Sequence, residues 1–581
     1  MINQQQNLER YINIFLLIFC IYFLFPLLQS GYISDDAYNS LIKGSILEKN
    51  KDFFNYVIEL NWGWLSNSGR LYPVEHFSQT LIFYFIQNVK IFKILKLLSI
   101  LFSIYYFRLN VSLISNSKNI ANFSILILLI FFQFRQWHDP VLGFAILIPL
   151  ICLFFFSSLY YFQLFLKSQN KKNLVVSVLL YCFLILTYEI SYLLIFVYIF
   201  IAFIHSRKIP DLFSKLKFHY LFLFIAIIVT IYFRFNVGDK SYPSLDQSFS
   251  IFPFFQSLGI QIYSGVSFSY FIRLKSSLID NLEIIDLLLI SYPLLIYKIL
   301  IEIDNKNFKV NLFFNFLIIG LIIVISQSFM VAISGHKNDL INMGLGFGYL
   351  PVMLQYFGFT LIYISLFLLI IKKIEKLFFK KLILITFGIL ITINGLINIS
   401  NNRYVVNETN KFYKYPRELL KKSLINEESK IKEADIIIRS WRYPHDINWF
   451  YSNHTNKLFC IIDFNKSINE SDFSWPNGCA FKKLNFKGNK IVFDVSEVIY
   501  SISYNFDDTG NQEGELYFAK IDQIIIDEQS KKIFELTSKE LSVYNESENK
   551  FKNFDFENNY NFVDIIKQDS KKKNEVKIPF L

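Results

Sequence analysis

Over the first 400 residues, apolar positions come in long blocks separated by short polar turns. The first block, 11–28, follows a short polar stretch, 1–10, and is close to the roughly 20 residues that cross a bilayer. It is too long for a secretory signal and no small-x-small cleavage site follows it, so it reads as a retained first span. Further blocks fall near 92–115, 120–134, 141–166, 174–187, 190–205, 220–235, 285–301, 312–334, 350–371 and 382–400. The pattern predicts an α-helical polytopic membrane protein with about eleven transmembrane helices. The stretch 174–205 would serve as one over-length helix, but both its ends are basic, so it reads as two short spans turning at Tyr188-Glu189. Beyond residue 401 the chain becomes charged and Asn-rich, with short β-favouring runs such as Ala434-Asp435-Ile436-Ile437-Ile438-Arg439 and Gln523-Ile524-Ile525-Ile526. The expected organisation is a membrane domain over 1–400, including a long first loop over 31–90, and a soluble domain of mixed α/β or mainly β type over 401–581.

Composition agrees with the pattern: 53% of the 581 residues are hydrophobic and 18% aromatic, too apolar for an ordinary soluble protein. Net charge changes the picture only by its placement. The formal +11 would suggest anionic partners, but outside the tail most Lys and Arg sit in turns between apolar blocks. That is an orientation signal and excludes a nucleic-acid footprint. Lys167, Lys171 and Lys172, then Arg207, Lys208, Lys215 and Lys217, then Lys306 and Lys309, then Lys372, Lys373, Lys376, Lys380 and Lys381 alternate correctly as cytoplasmic turns. The N-terminus is then expected in the cytoplasm and 401–581 outside, in a multi-pass protein of the cell membrane. The Asp35-Asp36 loop, Arg135-Gln136-Trp137-His138-Asp139-Pro140, the Glu189 turn, 236–284 and 335–349 face outward on the same scheme.

Candidate chemistry clusters on that outer side. Asp35 and Asp36 stand directly after the first span, in Tyr32-Ile33-Ser34-Asp35-Asp36-Ala37. An exposed Asp pair is commonly a solvated turn or helix cap, but a carboxylate at the hydrocarbon edge needs a reason to be there. Glu189 lies between two short apolar blocks, as a hairpin tip or as a buried functional acid. His138 and Asp139 stand together in the next outer loop, and a lone His-Asp is more often a loop feature than a ligand pair. Cationic candidates for an anionic ligand are Arg70, Arg273, Lys275, His336, Lys337 and Arg403; each competes with a headgroup contact or a snorkelling side chain. The run Gly344-Leu345-Gly346-Phe347-Gly348 lacks the Lys-Ser/Thr and preceding strand of a phosphate loop.

A first span, a long outer loop beginning with Asp-Asp, His138-Asp139 in the next outer loop, about eleven spans and an outer C-terminal domain together resemble the GT-C class of membrane glycosyltransferases. The Asp-Asp followed by Gly69-Arg70 is most similar to bacterial enzymes that decorate O-antigen. The class also holds protein mannosyltransferases and the aminoarabinose transferases of lipid A. The resemblance covers 1–400 and implies an inverting transferase that moves a sugar from a polyprenyl-phosphate donor to a surface glycan, lipid or protein acceptor. It implies a base at Asp36 or Asp35, Asp36 slightly favoured. Asp139 matches the second acidic position, which would orient the acceptor or, with His138, hold Mg or Mn. Different classes of reading are a glycan polymerase or flippase-like transporter, which predicts mid-span charges and internal repeats, and a non-catalytic anchor for the C-terminal domain. Cys460 and Cys479 could pair in an oxidising compartment.

Overall fold

The computed structural model describes residues 2–136, 138–206, 209–236, 250–271, 281–304, 310–334, 336–374, 376–426, 436–439, 448–463, 485–487, 490–492, 499–505, 515–526 and 533–561. The chain divides into two compact units: Met1–Ser30, Val57–Ile82 and Asn88–Asn407 form the first, and Gly31–Tyr56, Phe83–Gln87 and Glu408–Leu581 the second.

The first unit is helical. Among the described residues, eight helices are long and apolar enough to cross a membrane: Glu9–Gln29, Val89–Ser115, Leu147–Ser168, Phe213–Asn236, Ile284–Ile303, Asn311–Ala332, Val352–Lys373 and Phe378–Ile425, the last of which runs on from the first unit into the second. Eleven were expected. The other three apolar blocks form shorter helices, Lys118–Leu129, Lys171–Thr187 and Glu189–His205. At the expected turn, Tyr188 is extended (φ −166°, ψ 138°), ends one helix, and starts a 3-10 turn over Glu189–Leu194.

The helix Lys118–Leu129 stops early, and 130–136 and 138–146 are mostly buried, non-helical backbone. Such backbone survives in an apolar environment only if its polar groups find partners within the protein. Side chains from distant helices supply them. Lys93 and Lys96, both fully buried, donate to the carbonyls of Leu142 (2.9 Å) and Gly143 (2.8 Å). Asn402 donates to Phe132 O (2.9 Å) and accepts from Phe134 N (2.8 Å), and Ser267 donates to Ile130 O (3.0 Å). Two helices of this unit meet at small residues: a Cβ on Gly320 would lie 2.6 Å from Gly358 O, so the helices Val310–Ala332 and Val352–Lys373 cross backbone against backbone.

The second unit contains an eight-stranded sheet: β1 (Ile436–Arg439), β2 (Cys460–Asp463), β3 (Asn485–Lys487), β4 (Lys490–Val492), β5 (Ile499–Asn505), β6 (Glu515–Ile526), β7 (Ile533–Asn545) and β8 (Lys550–Asn561). The path runs β2-β1-β5-β6-β4-β3, with β7 between β6 and β8. β1 is parallel to β2 and β5, and the other pairs are antiparallel. The crossover from β1 to β2 carries the helix Asn448–Thr455. This is a mixed α/β unit. Its apolar core joins Ile437, Tyr500, Ile502, Leu516 and Phe518 of the sheet to Leu419, Leu420 and Leu424 of the helix Tyr415–Ile425, and to Leu41, which follows the acidic pair. A fully buried leucine contributes about 1.5–3 kcal/mol. The segment after the first span is therefore bound into the unit that holds the sheet. The Cys460 side chain and all of Cys479 lie outside the described residues.

Candidate functional site

The acidic pair belongs to the second unit. Asp35 and Asp36 open a short helix, Asp35–Asn39, and Ser34 before them adopts φ 55°, ψ −130°, a conformation that L-residues seldom take. The two carboxylates have different surroundings. Asp36 is fully buried, whereas the Asp35 side chain is exposed. The surrounding protein, and then the Asp36 carboxylate, push the Asp35 carboxyl up to about 6. Because Asp35 reaches solvent, water screens part of both effects.

In the first unit, four of the residues singled out in the sequence come together: Arg70, Glu189, His138 and His336. Glu189 occupies the first turn after the Tyr188 break. Its Oε1 accepts from Arg234 Nη2 at 2.6 Å and lies 3.8 Å from Arg70 Nε. Arg70 is placed by Gly69, which ends the helix Phe53–Ser68 with φ +63°; a Cβ there would stand 2.4 Å from Arg234 Cγ and 2.7 Å from Arg234 N. Only glycine allows the Gly69-Arg70 turn to lie on the Arg234 backbone. All three charged side chains are mostly buried, 10% exposed for Arg70, 13% for Glu189 and 18% for Arg234. Two guanidiniums thus face one carboxylate in a largely dry place. Glu189 Oε2 and Arg234 Nε are buried with no hydrogen-bond partner among the described residues.

Aromatic rings surround this trio. Tyr72 packs on Tyr188 at 4.9 Å, and the Arg70 guanidinium lies 6.0 Å from the Tyr72 ring. His336 stacks on Tyr349 at 4.9 Å, and His138 meets Tyr349 at 5.0 Å and Phe144 at 5.2 Å. Burial, then His336, pushes the His138 imidazole down to about 3. Burial also lowers His336, against an opposing contact from Asp339. Both imidazoles are neutral at neutral pH, so the positive charge here comes from the arginines.

The other candidates do different work. Asp139 is a loop staple: its Oδ2 accepts from Arg135 N (2.6 Å) and its Oδ1 from Val141 N (2.7 Å) and Leu142 N (2.6 Å). With both oxygens taken and His138 stacked between rings, this pair does not fit a divalent cation. Among the described residues, no three His, Cys, Asp or Glu side chains gather as a metal would need. Arg403 is committed elsewhere in the first unit, in a bidentate pair with Asp286 (2.8 Å for each bond) and 3.3 Å from Glu283. Lys337 is buried at the start of the helix Lys337–Met343. Arg273 and Lys275 lie outside the described residues. The sequence reading missed Arg234, the last-turn basic residue of the helix Ile209–Asn236. A cation at the end of an apolar block looks like any snorkelling side chain.

No family model matches the sequence, and no curated protein matches it. Among solved structures, the chain is similar to ArnT from Cupriavidus metallidurans bound to undecaprenyl phosphate, at 9% identity and a TM-score of 0.39, over 78% of this chain and 85% of that one. It is also similar to the Archaeoglobus fulgidus oligosaccharyltransferase tethered with an acceptor peptide containing the NVT sequon, at 10% identity and a TM-score of 0.37, over 85% of this chain and 69% of that one.

Proposed function

We propose that this chain is a GT-C-like membrane glycosyltransferase that moves a sugar, with inversion, from a polyprenyl-phosphate donor to a surface glycan, lipid or protein. On this reading the reaction takes place on the outer face of the cell membrane, an orientation supported by the basic turns. The observation that carries the reading is the Arg70–Arg234–Glu189 cluster. Two guanidiniums gathered on one carboxylate favour an anionic group such as a phosphodiester. Arginine offers the planar fork that binds phosphate oxygens best. The unsatisfied Arg234 Nε and the neutral, ring-walled surroundings suit a ligand that is part anion and part sugar.

The chemistry needs little more. A carboxylate takes the proton from the acceptor hydroxyl, the hydroxyl oxygen bonds to the anomeric carbon, and the bond from that carbon to the phosphate oxygen breaks. The departing lipid phosphate keeps the electron pair and gains negative charge, which the two guanidiniums stabilise. Apart from that cluster, which belongs to the other compact unit, Asp35 is the member of the acidic pair that can act as a base, being exposed and, with its carboxyl pushed up to about 6, mostly ionised at neutral pH.

The test is kinetic, in proteoliposomes supplied with a polyprenyl-phosphate hexose. Arg234→Ala is expected to reduce kcat/KM for the donor by about 100-fold, because it removes a charge-assisted contact and leaves Glu189 facing the phosphate. Arg234→Lys, which keeps the charge and loses the fork, is expected to recover only part of that loss. Unchanged donor kinetics in both variants would remove the cluster from the mechanism.

A further inference from the structure

We propose that Arg417 is a positioning residue that holds the Asp35–Asp36 turn in its working conformation. The proposal rests on the reading of Asp35 as the base, and it concerns how that base is aimed.

One guanidinium grips the chain on both sides of the acidic pair. Arg417, on the helix Tyr415–Ile425, is 7% exposed, and its Nη1 donates to Ala37 O at 2.8 Å. The same group lies 4.6 Å from the centre of the Tyr32 ring and 5.9 Å from that of Phe450. Tyr32 precedes Asp35 by three residues and Ala37 follows Asp36 directly, and both are buried. The turn between them cannot shift without breaking a charge-assisted hydrogen bond or a cation–π contact.

Neighbouring residues brace the same turn. Asn410 Oδ1 accepts from Gly31 N at 2.9 Å, and a Cβ on Gly31 would stand 2.6 Å from Lys414 Cβ. Asn410, Lys414 and Arg417 follow one another at spacings of about one helical turn, so they form one stripe against 31–37. Farther along, a Cβ on Gly44 would stand 2.2 Å from Trp449 O, so the next short helix is clamped as well. A left-handed, non-glycine Ser34 costs about 1–3 kcal/mol and persists only where its surroundings over-determine it. The grip on Tyr32 and Ala37 is what over-determines Ser34, and Ser34 sets the direction in which Asp35 leaves the chain.

Lysine at 417 keeps the charge but cannot bond Ala37 O and cover the Tyr32 ring at once. Arg417→Lys is therefore expected to lower kcat by about 10- to 100-fold while donor KM stays within about twofold and the protein still accumulates. If Arg417→Lys does not accumulate, Asn410→Ala decides: a fall in kcat at constant donor KM supports the proposal, and unchanged kcat overturns it. Normal kcat in Arg417→Lys beside an inactive Asp35→Asn overturns the positioning role and leaves the base reading standing. An active Asp35→Asn overturns both.

Discussion

Asp35→Asn is expected to lower sugar transfer by about 10²–10⁴, the usual contribution of a positioned general base, while the protein still accumulates in the membrane. The amide keeps the size of the side chain and loses the proton acceptor. Asp36→Asn is expected to cost less. Asp36 is fully buried, so an acceptor hydroxyl has no path to it, whereas Asp35 is exposed. The sequence favoured Asp36, since nothing in adjacent letters says which of two carboxylates a turn will bury. The pH dependence separates the two further. A base works ionised, so with Asp35 pushed up to about 6 the rate is expected to rise as pH increases through that region and to be flat above it. Solvent screening holds the midpoint at or somewhat below that value. Asp36→Asn removes the neighbouring charge and is expected to move the acid limb to lower pH, by less than burial alone contributes, because burial is the larger cause. A pH–rate profile on purified protein in liposomes checks both statements. A full rate in Asp35→Asn, or an acid limb that ignores Asp36→Asn, would withdraw Asp35 from the role of base.

What the sequence made legible follows the range of the forces involved. Apolar blocks declare spans because bilayer thickness is read directly as length, and the long helices lie where the blocks are. The count differs because three of the blocks form shorter helices, Lys171–Thr187 and Glu189–His205 on either side of the Tyr188 break and Lys118–Leu129 where the chain gives way to irregular backbone. The partners of that backbone are Lys93, Lys96 and Asn402, polar residues within other helices whose purpose shows only when the carbonyls they serve are in view. The site divides in the same way. Glu189 and Arg70 stood out because charge beside an apolar block is costly. Arg234 did not, because its meaning is a partner 45 residues away and the close approach of Gly69. Asp139 looked like a ligand and is a staple, a difference decided by three backbone N–H groups. Arg417 had no signal at all before Tyr32 and Ala37 were seen on either face of it.

Arg403 tests the same lesson by stability. In the sequence it was a phosphate candidate beyond the last span; in the structure it bonds Asp286 through both Nη atoms, and Tyr22 donates to the same carboxylate at 2.5 Å. Both ionic side chains are nearly closed to solvent, 6% and 7% exposed. Removing one partner of such a pair strands the other without compensation, so Arg403→Met is expected to destabilise the protein by about 3–5 kcal/mol. Replacing both, as Arg403→Met with Asp286→Leu, removes the stranded charge and is expected to recover most of the loss, apart from the Tyr22 hydroxyl left without its acceptor. Thermal unfolding in detergent, read as a double-mutant cycle, measures the coupling. Donor KM supplies the contrast with Arg234. If Arg403 serves only the fold, the double variant binds donor as the parent does. A raised donor KM in that variant, with stability restored, would return Arg403 to the phosphate site.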